Sequence, residues 1–348
     1  MTTELTVTTT NAVTWTVADN ESMIAQVANE YAAGSTFADY HRRKSVRTRK
    51  IQRDNLVTFA AFLGDTGIVR HADDLQHNPA SWSMVTDGLV VAYREWLLQS
   101  GYSIGTINLK LSTIKVYCKL ATKAGALDVR EHAMIRLVDG FAKTESERVD
   151  EERTQTRVSS KKDAPTHLDT AQARQLKNHP DTSQGRRDAV LMAILIDHGL
   201  RAGEVALLKV GDFDIEAGTF AFYRPKVNKT QTHRMTADTA AAVRAYIEAG
   251  DAPAADEKLI RGSRKGGKLG KPGISASSLS MRVRALGKRA GIDKLSAHDC
   301  RHYWATDAAR NGTDAFALRD AGGWSSLAMP SRYVEGAAIA NEGLKQSA

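Results

Sequence analysis

SAHDCRHYWATDAARNG, residues 296–312, begins as a polar cluster and continues with the spacing of a helix. His298, Asp299, Cys300, Arg301 and His302 bring two histidines and a cysteine within five residues. Three chemistries compete for such a cluster: a metal site, a cysteine nucleophile beside its base, and a phosphate holder. A zinc site needs two more ligands at workable spacing, and the other cysteine, Cys118, lies far away in an apolar helical stretch. A nucleophilic Cys300 would need His298 beside it, but their helical offset turns them to different faces. The spacing favours the third answer. Ser296 followed by Asp299 reads as a capping box, which sets His298 and Arg301 at i and i+3 in the first turns. A helix start offers free N–H groups and partial positive charge, so a His and an Arg side by side there form a phosphate clamp.

Working outward, the C-terminal half alternates apolar helices with a short strand pair. THLDTAQARQL (residues 166–176) reads as a helix capped by Thr166, His167 or Thr170, and RRDAVLMAILIDHGL (186–200) as an apolar helix ended near Gly199. TFAFYRPKVNKTQTHRMTA (219–237) reads as two strands around a polar tip, and RGSRKGGKLGKPG (261–273) as a Gly-rich basic loop. Toward the N-terminus, helical patterns start near Glu21, after Arg53, at Thr86 and at Ser103, with apolar faces such as Leu56–Phe59–Leu63 and Ile107–Leu111–Ile114. The expected fold is mainly α with a small antiparallel β-sheet, in two domains: an N-terminal four-helix bundle and a C-terminal α+β domain. The expected boundaries are a flexible segment over 1–19, the bundle over 20–138, a polar charged linker over 139–164 and the second domain over 165–348.

The 348 residues carry a net charge of +8, and since residues 1–40 hold five carboxylates and no Lys or Arg, the remainder is near +13. A basic body of this kind suits a polyanion through phosphate contacts and counterion release. Two cysteines argue against a disulfide framework and fit a reducing cytoplasm. No apolar run approaches the roughly 20 residues that cross a bilayer, so no membrane association is expected.

Three more segments complete the pattern. GLRAGE (199–204) places Arg201 after a helix-ending Gly-Leu with Glu204 three residues on, YRPKVNKTQTHRM (223–235) offers Lys226 and Lys229, and GGWSSLAMPSRYVE (322–335) carries Trp324 and Tyr333. In this order the segments resemble the tyrosine recombinase (phage integrase) family over roughly residues 20–345. The resemblance implies the N-terminal bundle to be a core-binding domain and the C-terminal one the catalytic domain. It implies Arg201, Lys229, His298, Arg301, Trp324 and Tyr333 as the catalytic set, with Glu204 in support. Tyr333 would attack the scissile phosphodiester, and Arg201 and Arg301 would hold the non-bridging oxygens. His298 would contact the phosphate and help move the proton of Tyr333, and a hairpin lysine would protonate the leaving oxygen. Lys229 is favoured because its Asn-Lys-Thr setting resembles the family's hairpin, which leaves Lys226 as a phosphate contact. Trp324 stands where most members have His and would donate its indole N–H.

The remaining basic tracts are expected DNA contacts: Arg42, Arg43, Lys44, Arg47, Arg49 and Lys50 in the first domain, and Arg261, Arg264, Lys265, Lys268 and Lys271 on the Gly-rich loop. No cofactor and no metal is expected. The implied partner is a double-stranded DNA recombination site, gripped by a two-domain clamp, with a monomer when free, a homotetramer on DNA and exchange through a Holliday junction. A type IB topoisomerase and a catalytically silent DNA-binding regulator are the alternatives.

Overall fold

The computed structural model of the chain describes residues 21–142, 144–145, 148–149 and 166–337. The expected flexible start (1–19), most of the expected linker and the last residues of the tail lie outside the described residues. The chain divides into two compact units, Met1–Lys161 and Lys162–Ala348.

The first unit is helical: α1 (Glu21–Arg42), α2 (Val46–Asp65), α3 (Ala72–His77), a 3-10 turn (Pro79–Trp82), α4 (Asp87–Gln99), α5 (Ile104–Lys123) and α6 (Val129–Leu137). The long α1, α2, α4 and α5 answer to the expected four helices; α3 and α6 are additions. Alpha-helical periodicity could not announce α6, because Ile135 is its only buried residue, and α3 is too short to show a stripe. Side-chain caps start the helices: Ser45 accepts from the Thr48 N–H at α2, and Thr86 from the Leu89 N–H at α4. Phe59, Trp82, Tyr93 and Tyr117 are buried in one core with Leu56, Leu63, Ile107 and Ile114. The Trp82 ring stacks between Phe59 (5.8 Å) and Tyr117 (5.6 Å), and its indole N–H donates to the Leu75 carbonyl at 2.8 Å, so the aromatic area is buried with its polar atom satisfied.

The second unit builds on α8 (Ser183–Asp197), preceded by α7 (Thr170–Lys177). Every residue of α8 from Val190 to Ile196 is buried, as a helix wrapped on all sides requires. The cap of α7 is Asp169, not Thr166, His167 or Thr170. Asp169 and Gln172 exchange side-chain-to-backbone bonds at 2.7 and 3.1 Å, a reciprocal capping box. The Thr166 N–H donates instead to the buried Asp299 carboxylate at 3.0 Å. The chain continues through α9 (Ala202–Val205), β1 (Phe213–Asp214), β2 (Thr219–Arg224), β3 (Lys229–Arg234), α10 (Ala237–Glu248), β4 (Arg261–Ser263), β5 (Leu269–Pro272), α11 (Ala276–Arg289), α12 (Ala297–Arg310), α13 (Ala315–Gly322) and α14 (Ala328–Ala337). Strands β1-β2-β3 form an antiparallel sheet whose β2–β3 ladder runs from Thr219↔Arg234 to Arg224↔Lys229. The basic stretch read as a loop is a hairpin, β4 paired with β5, turned by Gly266 and Gly267 at φ of 75° and 77°, a region glycine enters at little cost. Among the described residues no helix is long and apolar enough to cross a membrane.

Candidate active site

The site grows from the two ends of short helices. Gly199 follows α8 with φ of 60°, and a side chain there would collide with the Trp304 ring. The turn delivers Arg201 as the residue before α9, with Glu204 in that helix's first turn. Glu204 is 2% exposed. Its carboxylate accepts from the Arg201 backbone N–H and from Arg201 Nη1, both at 2.8 Å. It also accepts from Nη1 of Arg224, at 3.1 and 3.0 Å to its two oxygens.

Arg224 is absent from the sequence-based set, and it is fully buried. Its signal was present: Phe220, Phe222 and Arg224 alternate along β2 and are all buried, so the period of two points the arginine into the core. A buried guanidinium requires a carboxylate and further acceptors. Glu204 is the first, Gln231 takes the Nε–H, and the Ala321 carbonyl accepts from Nη2 at 2.7 Å. Burial pulls the Arg224 guanidinium down from its ordinary range, and Glu204 draws it back up.

α12 starts as expected, with Ser296 and Asp299 in a reciprocal capping box. Arg301, 2% exposed, donates from Nη1 to the Gly199 carbonyl and from Nη2 to the Gly322 carbonyl, both at 2.6 Å. Three side chains thereby satisfy the last carbonyls of α13: Gln231 on Asp320 (2.6 Å), Arg224 on Ala321 and Arg301 on Gly322. A helix C-terminus exposes unpaired carbonyls and partial negative charge, so two arginines are well matched there, and the left-handed Gly323 ends the helix. The chain then presents Trp324, whose ring lies 4.1 Å from the Arg301 guanidinium. This is a stacking contact, a role the sequence reading had not given it. Burial, with the charges of Arg201 and Arg224, pushes Arg301 down to about 9, which leaves it cationic at neutral pH. Two guanidiniums on the Glu204 carboxylate, with a third, Arg301, within electrostatic reach of all three groups, make a site with excess positive charge, suited to an anion.

Tyr333 sits on α14, half-buried, with its ring 6.0 Å from that of Trp324. Its hydroxyl pairs with His302 Nδ1 at 2.7 Å, and not with His298. His302 is the second residue the sequence reading passed over; its place beside Arg301 and one turn after His298 was the available signal. His298, exposed on one side, is held below its ordinary value by partial burial and then by the charge of Arg301. Cys300 is buried in the apolar core, away from this cluster.

The other expected residues divide. Lys226 and Lys229 are exposed at the β2–β3 tip and make no ion pair with the described residues. Arg42, Arg43, Lys44, Arg47, Arg49 and Lys50 are all exposed around the α1–α2 turn. Arg42 pairs with Asp39 at 2.8 Å and Lys50 with Asp54 at 3.1 Å, surface pairs weak enough to exchange for phosphate. Arg264, Lys265, Lys268 and Lys271 are exposed on the β4–β5 hairpin. Arg261 differs from its neighbours in being half-buried: its Nε donates to the Gly270 carbonyl at 2.9 Å and its Nη1 to the Asp251 carbonyl at 3.1 Å, so this guanidinium also braces the hairpin.

Residues 166–338 match the family model described as the phage integrase family. The chain is 24% identical over 280 residues to the tyrosine recombinase XerC of Halalkalibacterium halodurans, covering 76% of this chain and 83% of that protein. It is 28% identical over 193 residues to the tyrosine recombinase XerD of Neisseria meningitidis serogroup B, covering 53% and 62%. The Tn1549 transposon integrase in complex with transposon right end DNA is similar in fold, with a TM-score of 0.59 at 17% identity over 87% of this chain and 94% of that one. A lambda integrase dimer bound to a COC′ core site gives a TM-score of 0.59 at 14% identity, over 86% and 94%.

Proposed function

We propose, from the premise that the chain belongs to the tyrosine recombinase (phage integrase) family and is a tyrosine-type site-specific DNA recombinase, that it cuts and rejoins DNA through a 3′-phosphotyrosyl link to Tyr333. The observation that carries this reading is the cluster of Arg201 and Arg224 on Glu204 with Arg301 stacked on Trp324, and the Tyr333 ring 6.0 Å from that same indole. Each terminal nitrogen of a guanidinium has two N–H groups. Arg301 uses one on each for backbone carbonyls, so one on each is left for a phosphate oxygen, and Arg201 keeps its Nη2. These donors stabilise the charge that builds on the non-bridging oxygens as phosphorus becomes five-coordinate. Glu204 and Arg224 position them and do not react. His298 contacts the phosphate, Lys229 protonates the leaving 5′-oxygen, and Trp324 holds Arg301 flat. The tyrosyl link conserves the energy of the phosphodiester, so rejoining needs no nucleotide.

The first unit acts as the core-binding domain, and the exposed basic residues of α1–α2 and the β4–β5 hairpin contact backbone phosphates. Two sites are exchanged through a Holliday junction by a homotetramer that is monomeric when free. The relatives are named recombinases and integrases, which favours this over a type IB topoisomerase or a silent regulator. Nicked suicide duplexes tiled across the DNA flanking the gene test it. Wild-type protein should be trapped covalently on one of them, and Tyr333→Phe, which removes only the hydroxyl, should bind that duplex without adduct. An adduct formed by the Phe variant would sink the assignment.

A further inference from the structure

The nucleophile's neighbour carries a further role. A phenol must lose its proton to attack phosphorus, and burial pushes Tyr333 up from its ordinary value, against the pull of Arg301. The hydroxyl is therefore protonated at neutral pH and needs an acceptor at hydrogen-bond distance. His302 Nδ1 is at 2.7 Å. His298 makes no hydrogen bond to Tyr333; its ring meets His302 edge-on at 4.5 Å between centroids, and the charges of Arg301 and Arg201 act on it. We infer that His302, on α12, accepts the proton of Tyr333 during strand cleavage and returns it on rejoining, an inference that rests on the reading of Tyr333 as nucleophile.

The surroundings suit that task. His298, Asp299 and Arg301 face His302 from its own helix, His167 from the segment before α7 and Tyr333 from α14. Burial first, then His298, Arg301 and His167, hold the imidazole below its ordinary value, with Asp299 opposing. At neutral pH it is uncharged, and with the proton on Nε2 its Nδ1 lone pair receives the phenol. His302 also lines a cavity of about 350 Å³ with Thr166, His167, Asp307 and Arg310, which gives an incoming proton polar groups and room for water. The step balances. The Tyr333 oxygen–hydrogen bond breaks and its proton passes to Nδ1, while the oxygen–phosphorus bond forms. The bond from phosphorus to the 5′-oxygen breaks, and that oxygen takes a proton from Lys229. The products are a 3′-phosphotyrosine, a 5′-hydroxyl, a histidinium and a neutral lysine. Rejoining runs the same transfers backward.

The test uses the suicide duplex that traps the full-length wild-type protein. His302→Asn keeps an acceptor oxygen near the Nδ1 position but cannot take a proton near neutral pH. Cleavage should fall by about 10²-fold or more while binding to the same duplex is unchanged. The wild-type acid limb, lying on the acid side of an ordinary imidazole's titration, should vanish from the variant's profile. Added imidazole should restore cleavage to His302→Ala in proportion to its concentration, whereas a 5′-thiolate duplex should not. An Asn variant within roughly three-fold of wild type, well short of what loss of a general base costs, would overturn the inference. So would an inactive Ala variant that binds DNA normally and ignores imidazole. Tyr333→Phe separates the two levels: if it still forms adduct, the nucleophile assignment has failed, and if it is silent while His302→Asn cleaves normally, only the proton acceptor is wrong.

Discussion

Replacing Arg224 by methionine tests the electrostatic frame of the site. Methionine keeps an unbranched stem against Phe222, whose ring lies 4.7 Å from the guanidinium, and removes the charge. Glu204, with a side chain 3% exposed, is left with Arg201 alone, and the Ala321 carbonyl loses its donor. Removing one partner of a buried ion pair costs about 3–5 kcal/mol; the surviving Arg201 contacts put this case near the lower end. An unsatisfied buried carbonyl adds about 1 kcal/mol. The expected loss is therefore about 4 kcal/mol, a large share of the 5–15 kcal/mol typical of a domain. With a urea slope near 2 kcal/mol per molar, the midpoint should fall by about 2 M. Urea titration of the full chain, read by hydrogen exchange of α8 peptides, reports the second unit specifically. The Arg224→Met/Glu204→Met double variant should recover about 2 kcal/mol of the single variant's loss, because no buried charge is then stranded. A single-variant loss below about 1 kcal/mol, the level of a surface pair, or strictly additive losses in the double variant, would refute the reasoning.

Lys229→Ala should slow cleavage, and a 5′-thiolate leaving group should restore most of the rate, since a thiolate departs without protonation; restoration in Lys226→Ala instead would exchange the two lysines' roles. Changing Arg264, Lys265 and Lys268 together to Gln should lower the slope of log affinity against log salt by about 2–3, roughly 0.9 per lost phosphate contact; an unchanged slope would remove the β4–β5 hairpin from the DNA face. Ser296→Ala breaks the box that starts α12, where Ser296 Oγ lies 2.7 Å from the Asp299 carboxylate, and should cost about 1 kcal/mol in urea unfolding with the slope unchanged; no loss would mean that the helix start is held by other contacts.

Local chemistry made much of this protein legible in one dimension. A capping box is a contact between residues three apart, so Ser296 and Asp299 announced the start of α12, and with it the shared face of His298 and Arg301. Helical and two-residue periods likewise marked the long helices and the β2–β3 hairpin, because the periods follow from backbone geometry. The order of GLRAGE, HDCRH and RYVE carried the family. Contacts between residues far apart in sequence were decided by the tertiary structure. Arg224 meets Glu204 and the Ala321 carbonyl across separations of 20 and 97 residues, and Tyr333 meets His302 across 31. Arg261 looked like any other residue of a basic tract until the hairpin turned it onto its own backbone. Sequence fixes which groups are available locally. Which of them touch is settled by packing, where burying a charge compels it to find a partner wherever the chain has brought one.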